Sequence, residues 1–139
     1  MKKTFLFVVL ALLLALSLVA CGGGDSTEDS SSGTGPSVSN GEALFAQTTI
    51  GSASAPGCIT CHSLEAGVTL VGPAQNDIGT RATGRVAGVS GEDYLRQSIV
   101  EPDVYIVDGF SAGLMYQNYA NELSDSEIDD LVAYLLTLK

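Results

Sequence analysis

"GCITCH", Gly57-Cys58-Ile59-Thr60-Cys61-His62, places two thiols and an imidazole within five consecutive residues. The 139-residue chain has only 3 cysteines and 1 histidine, so nearly its whole supply of soft and nitrogen ligands stands at this point. A run of small residues and proline, "GSASAPG", leads into it. What two neighbouring thiols can do depends on the redox compartment, and the start of the chain indicates which compartment that is.

Met1-Lys2-Lys3 is a positive n-region, and Phe5 to Ala20 is apolar with only Ser17 interrupting. This pattern predicts a secretory signal peptide over residues 1–20. The run is shorter than the ~20 apolar residues of a bilayer-spanning helix. It ends "LVAC", Leu18-Val19-Ala20-Cys21, which resembles the lipobox of bacterial lipoproteins. The resemblance implies cleavage before Cys21 and lipidation of that cysteine, and more than one acyl chain holds a protein stably at a membrane. The protein is then expected on the extracytoplasmic face of a bacterial membrane, anchored through Cys21. The alternative is an ordinary signal peptide with an incidental cysteine.

The formal net charge is −10, and loss of Lys2 and Lys3 with the signal leaves Arg81, Arg85, Arg96 and Lys139 as the only basic side chains. Nucleic acid is excluded as a partner, because phosphate binding needs clustered Lys and Arg. An acidic surface suits a redox partner with a basic docking face, and it equally suits plain solubility. After Cys21, Gly22 to Ser39 is Gly, Ser and acidic with one valine, a flexible tether. At about 18 residues its r.m.s. span is roughly 25 Å. Residues 21–39 are therefore read as lipidated cysteine and tether, and 40–139 as one small domain.

Three helices are predicted in that domain. Asn40 is placed to cap a short first helix carrying Ala43, Leu44 and Phe45. Ser90 with Asp93 opens a second whose Tyr94, Leu95, Ser98 and Ile99 share a face, and Pro102 ends it. Ser124 and Glu127 form a capping box for the third, followed by Ile128, Leu131, Val132, Leu135 and Leu136 as one apolar stripe. About forty Gly-rich residues between the first two helices argue against a core packed from protein alone.

The two thiols have three ordinary fates. A structural zinc site needs four Cys or His ligands, and this chain offers three without a second pair. A thioredoxin-like disulfide belongs in a βαβ setting that the sequence lacks. C-x-x-C-H is the attachment site of a c-type haem. Its spacing lets each thiol add across one vinyl group while the next residue, His62, turns its imidazole onto the iron. Iron then needs a sixth ligand or an open position, and carriers of this kind use methionine. Beyond Met1, in the signal, Met115 is the one methionine, and it stands alone in a polar loop where core filling, the ordinary role of methionine, is less apt.

Taken in order, Gly41 with Phe45, Cys58 to His62, Gly72-Pro73, Tyr94-Leu95, Met115 and the "LVAYLLTL" helix resemble the class I c-type cytochromes over nearly all of residues 40–139. The resemblance implies an all-α cytochrome c fold, three to four helices with long loops around one covalent haem c. It implies thioethers at Cys58 and Cys61, iron ligation by His62 and Met115, and a Pro73 carbonyl that receives the Nδ1–H of His62. It also implies contact of Gly41 and Phe45 with the last helix at Tyr134. Arg81 and Arg85 are candidates for the haem propionates, with solvated surface charge the alternative for each. The stretch "SIVEPDVYIVDGF" is similar to cytochrome c domains of respiratory oxidases, implying electron transfer near a terminal oxidase or a quinol-oxidising complex, by a carrier and not an enzyme.

Three features depart from that pattern. Tyr116 follows Met115 where many relatives have proline, Gln47 to Gly57 is a long insertion expected to loop over the surface, and the chain has no tryptophan, leaving Tyr94, Tyr105, Tyr116 or an arginine for the propionates. The alternative function is a haem-based ligand sensor or peroxidase-like protein with Met115 off the iron. Against it, no second histidine exists, and no Asp or Glu adjoins Met115 in sequence. A fixed subunit of a larger respiratory complex is the third reading.

Overall fold

The structure, a computed structural model, describes residues 35–139. The expected signal peptide, Cys21 and the tether as far as residue 34 lie outside the described residues. Three helices of eight or more residues frame the domain: α1 (Val38–Phe45), α4 (Gly91–Val100) and α6 (Asp125–Thr137). Between them lie a two-stranded ladder, β1 (Thr49–Ile50) with β2 (Ala55–Pro56), and single-turn helices α2 (Cys58–Cys61), α3 (Ile78–Arg81) and α5 (Tyr119–Glu122).

Helix α1 begins two residues before the expected Asn40. Ser37 is its cap, accepting from the Asn40 N–H, and both ends of that turn are tied to Asp130 of α6. The Ser37 N–H donates to Asp130 Oδ1 at 2.6 Å and the Asn40 side chain to Oδ2 at 3.3 Å. Ser and Asn are comparable as caps, so the tertiary bonds to Asp130 select the register.

The first and last helices cross at a glycine. A Cβ on Gly41 would collide with the Asp130 carbonyl oxygen and sit 2.9 Å from Tyr134 Cβ, so only glycine permits this approach. Beside the crossing Phe45 and Tyr134 pack as tilted rings, centroids 5.6 Å apart. Helix α6 carries the expected capping box and buries Ile128, Leu131, Val132, Tyr134 and Leu135. Two hydrogen bonds from Ser124 to Glu127 hold that carboxyl below its ordinary pKa. Helix α4 buries Tyr94, Leu95 and Ile99 and is joined to α6 by the Arg96–Asp129 ion pair, half-exposed and so worth little.

The insertion between Gln47 and Gly57 does more than loop over the surface. Thr49 pairs with Pro56 and Ile50 with Ala55, turned by Gly51 and by Ser54, both at positive φ. Ile50 is 1% exposed, so the ladder plugs a branched side chain into the core. Helix α3 is fixed by the chain end: the Gly79 N–H donates to the Leu138 carbonyl, and a Cβ on Gly79 would strike the Leu136 carbonyl. Among the described residues no helix is long and apolar enough to cross a membrane.

Candidate functional site

Helices α1, α4 and α6 each present part of their apolar face to a cleft of about 180 Å³ rather than to one another. Phe45, Leu95, Ile99, Leu131 and Leu135 line its depth, and loop residues including Ile106, Val107 and Phe110 close over it. Cys58, Cys61, His62, Pro73 and Met115 all line this one cleft, although 57 positions separate Cys58 from Met115. Val71 and Leu114 also line it while remaining about half exposed, and so frame its mouth.

The turn α2 presents the two thiols. Gly57 precedes it because a Cβ there would strike the Gln47 carbonyl, and the Thr60 hydroxyl donates back to the Gly57 carbonyl at 2.6 Å. Cys58 and Cys61 are free thiols, one helical turn apart. Burial pushes the Cys58 thiol up to about 11, with a smaller rise from Cys61 and an opposing backbone hydrogen bond. A thiol so raised is protonated at neutral pH, unlike the low-pKa thiolate of a disulfide oxidoreductase.

His62 caps α2 in an extended conformation that turns its ring out of the helix. Its Nδ1 donates to the Pro73 carbonyl at 2.9 Å, the bond expected from the sequence. Since that carbonyl only accepts, the proton belongs on Nδ1, and Nε2 keeps its lone pair for a metal. Burial lowers the His62 pKa, partly offset by the Pro73 bond, so the ring is neutral at neutral pH. Gly72 forms the back wall: its N–H donates to the Cys61 carbonyl at 2.8 Å, and a Cβ there would press on Cε1 and lie 2.8 Å from Nδ1. Gln75, which no local pattern marks, sets its side-chain amide 3.0 Å from the same Nδ1.

Met115 is half-buried in a loop braced from both sides. The Asp103 carboxylate accepts from the Gly113 N–H at 2.9 and 3.0 Å and from Gln117 Nε2 at 3.3 Å. Gln117 Nε2 also donates to the Met115 carbonyl at 2.7 Å. Tyr116, standing where proline was noted as usual, packs edge-on against Tyr119 with centroids 5.0 Å apart. The Tyr119 hydroxyl donates to the Pro56 carbonyl at 2.5 Å. Burial raises the Tyr119 pKa, so it stays a donor. Contacts thus stiffen the loop at a position without the conformational lock of a proline.

Neither Arg81 nor Arg85 lines the cleft. Arg81 donates to Asp77 and to the Ala74 carbonyl, holding the loop that carries Pro73 and Gln75. Tyr94 and Tyr105, packed edge-to-face at 5.6 Å, do line it, as does Ser111. Among the described residues no group of three or more His, Cys, Asp or Glu side chains is placed to hold a metal ion. The donors at hand are one imidazole nitrogen and one thioether on apolar walls, beside two thiols spaced by one turn, a set that fits a porphyrin iron with two covalent ties.

A family model described as "Cytochrome c" matches residues 38–139. No curated protein matches the chain.

Proposed function

The chain belongs to the cytochrome c family, and from that premise we propose that it is a membrane-tethered mono-haem carrier serving a respiratory chain, at a terminal oxidase or a quinol-oxidising complex. The cofactor is one covalent haem c, and the activity of the family is haem-based electron transfer. In our reading Cys58 and Cys61 would hold the group through thioethers, and His62 through Nε2 and Met115 through sulfur would ligate its iron. The observation that carries this reading is the convergence of all four on one apolar cleft.

The bound group supplies a one-electron ferric/ferrous couple. Everything else is done by the chain. Pro73 and Gly72 hold the imidazole in one plane, Asp103 and Gln117 hold the methionine loop, and the apolar walls exclude water, which raises the potential. Loops held by these hydrogen bonds would keep reorganisation small. One electron enters from a reduced redox protein and leaves to an oxidised one, with no bond made or broken in either partner. Val71 and Leu114 at the cleft mouth give an apolar contact, and the chain's net negative charge suits a partner with a basic face.

Attachment through Cys21 on a Gly/Ser tether is proposed from the lipobox-like "LVAC" alone. Cys21→Ser should release the protein from membranes into the extracytoplasmic fluid. A ligand-sensor or peroxidase-like role would need Met115 loosely held, and the Asp103 bracing counts against it. The test of the central reading is a redox titration of the holoprotein beside Met115→Ala. The parent should be low-spin with a high potential, and the variant should be high-spin with a lower one; identical behaviour would remove Met115 from the iron.

A further inference from the structure

The His62 Nδ1–H faces two potential oxygen acceptors. One is the Pro73 carbonyl at 2.9 Å. The other belongs to the Gln75 side chain, whose amide lies 3.0 Å from Nδ1 with Nε2 toward the ring and whose Oε1 is buried without any partner. Nitrogen and oxygen of an amide occupy nearly the same space, so the orientation follows from the hydrogen-bond network. With the proton on Nδ1, Nε2 toward the ring sets donor against donor and strands the oxygen. If instead Gln75 donated, Nδ1 would be bare, the Pro73 carbonyl would lose its donor, and the proton would sit on Nε2, which could then not bind a metal. Half a turn of the amide puts Oε1 on Nδ1–H and removes the donor–donor conflict at the ring, with the NH2 taking the buried place of the oxygen.

We propose that Gln75 is a positioning residue that accepts a second hydrogen bond from the His62 Nδ1–H, making a three-centre bond with Pro73. This rests on the reading of His62 as the iron ligand through Nε2. Two oxygens drawing on one N–H increase the electron density at Nε2, which favours the ferric state and lowers the potential, and they hold the ring plane more firmly than one. Arg81 steadies both acceptors, since it donates to the carbonyl of Ala74, the residue between them. A glutamine at this position thus acts as a brake on the potential that the apolar cleft would otherwise set.

The test compares the holoprotein with Gln75→Leu, which removes the acceptor, and Gln75→Glu, which keeps oxygen and cannot donate. Two readouts are followed: the reduction potential, and the exchange of the His62 Nδ1 proton with solvent deuterium by ¹⁵N NMR of the reduced state. Q75L should raise the potential and speed exchange by about threefold to tenfold, the loss of one ordinary hydrogen bond. Q75E should keep exchange slow and lower the potential below the parent. The proposal is overturned if Q75L changes neither readout, or if Q75E behaves as Q75L. Should Q75L fail to mature, fast exchange or a raised potential in Q75E alone overturns it. Failure of the underlying reading looks different: a parent whose His62 ring ¹⁵N signals carry no large hyperfine shift in the ferric state would mean that His62 is not the ligand, whatever Gln75 does.

Discussion

Replacing Asp103 by alanine tests how Met115 is held. The carboxylate accepts from the Gly113 N–H through both oxygens, at 2.9 and 3.0 Å, and more weakly from Gln117 at 3.3 Å. A hydrogen bond to a charged group contributes about 1.5–3 kcal/mol when shielded, but Asp103 is solvent-exposed, so water and salt reduce the total to about 1–2 kcal/mol. If that energy holds the loop closed, Asp103→Ala multiplies the fraction of molecules with Met115 off the iron by about 5–30. A small ligand that competes with Met115, such as imidazole, binds with an apparent affinity proportional to that fraction. The assay is an optical titration of the ferric holoprotein with imidazole, and the dissociation constant should fall by about 5–30-fold in D103A. Asp103→Asn, which keeps one oxygen for Gly113, should fall between. An unchanged constant in D103A would refute the bracing argument and leave the loop's stiffness to Tyr116.

Gly72→Ala should push the His62 ring off its plane, costing about 1–3 kcal/mol and broadening the low-spin spectrum of the holoprotein. Gly41→Ala should force α1 away from α6 at a similar cost of about 1–3 kcal/mol, lowering Tm by about 4–8 °C per kcal/mol while leaving the visible spectrum intact. Acid unfolding should reveal the capping box. Glu127 titrates below its ordinary 4.5 in the folded chain, so its contribution is present above about pH 4.5 and is lost as pH falls through the lowered value. Ser124→Ala should cost about 0.5–2 kcal/mol at neutral pH, and the difference from the parent should shrink on acidification.

Much of the site was legible because it is written in local spacing or forced by scarcity. Two thiols and a histidine within five residues admit few chemistries, and a single methionine beyond the signal leaves little choice of partner. Helix α6 was legible for a different reason, since its capping box and its stripe both repeat at helical intervals. What escaped notice depends on residues brought together by folding. Asp103 reaches Gly113 across ten positions of aperiodic loop, and Gln75 reaches His62 across thirteen, in segments where no period marks an inward-facing side chain. The cap at Ser37 rather than Asn40 was settled by Asp130, more than ninety residues away. Ile50 as a core plug was hidden because two-residue strands are too short to show alternation.

The hydrogen bond from Tyr119 to Pro56, beside that from the Ala53 N–H to Glu122 at 3.0 Å, joins the segment before the two thiols to the segment after Met115. Pro56 stands two residues before Cys58, and Tyr119 carries the ring on which Tyr116 rests, next to Met115. In the proposed assembly, covalent closure at Cys58 therefore immobilises the carbonyl that receives Tyr119, which in turn narrows the positions open to the methionine loop. On that reading attachment at Cys58 would help to seat Met115, and a chain joined to its cofactor only at Cys61 would present Met115 from a looser frame.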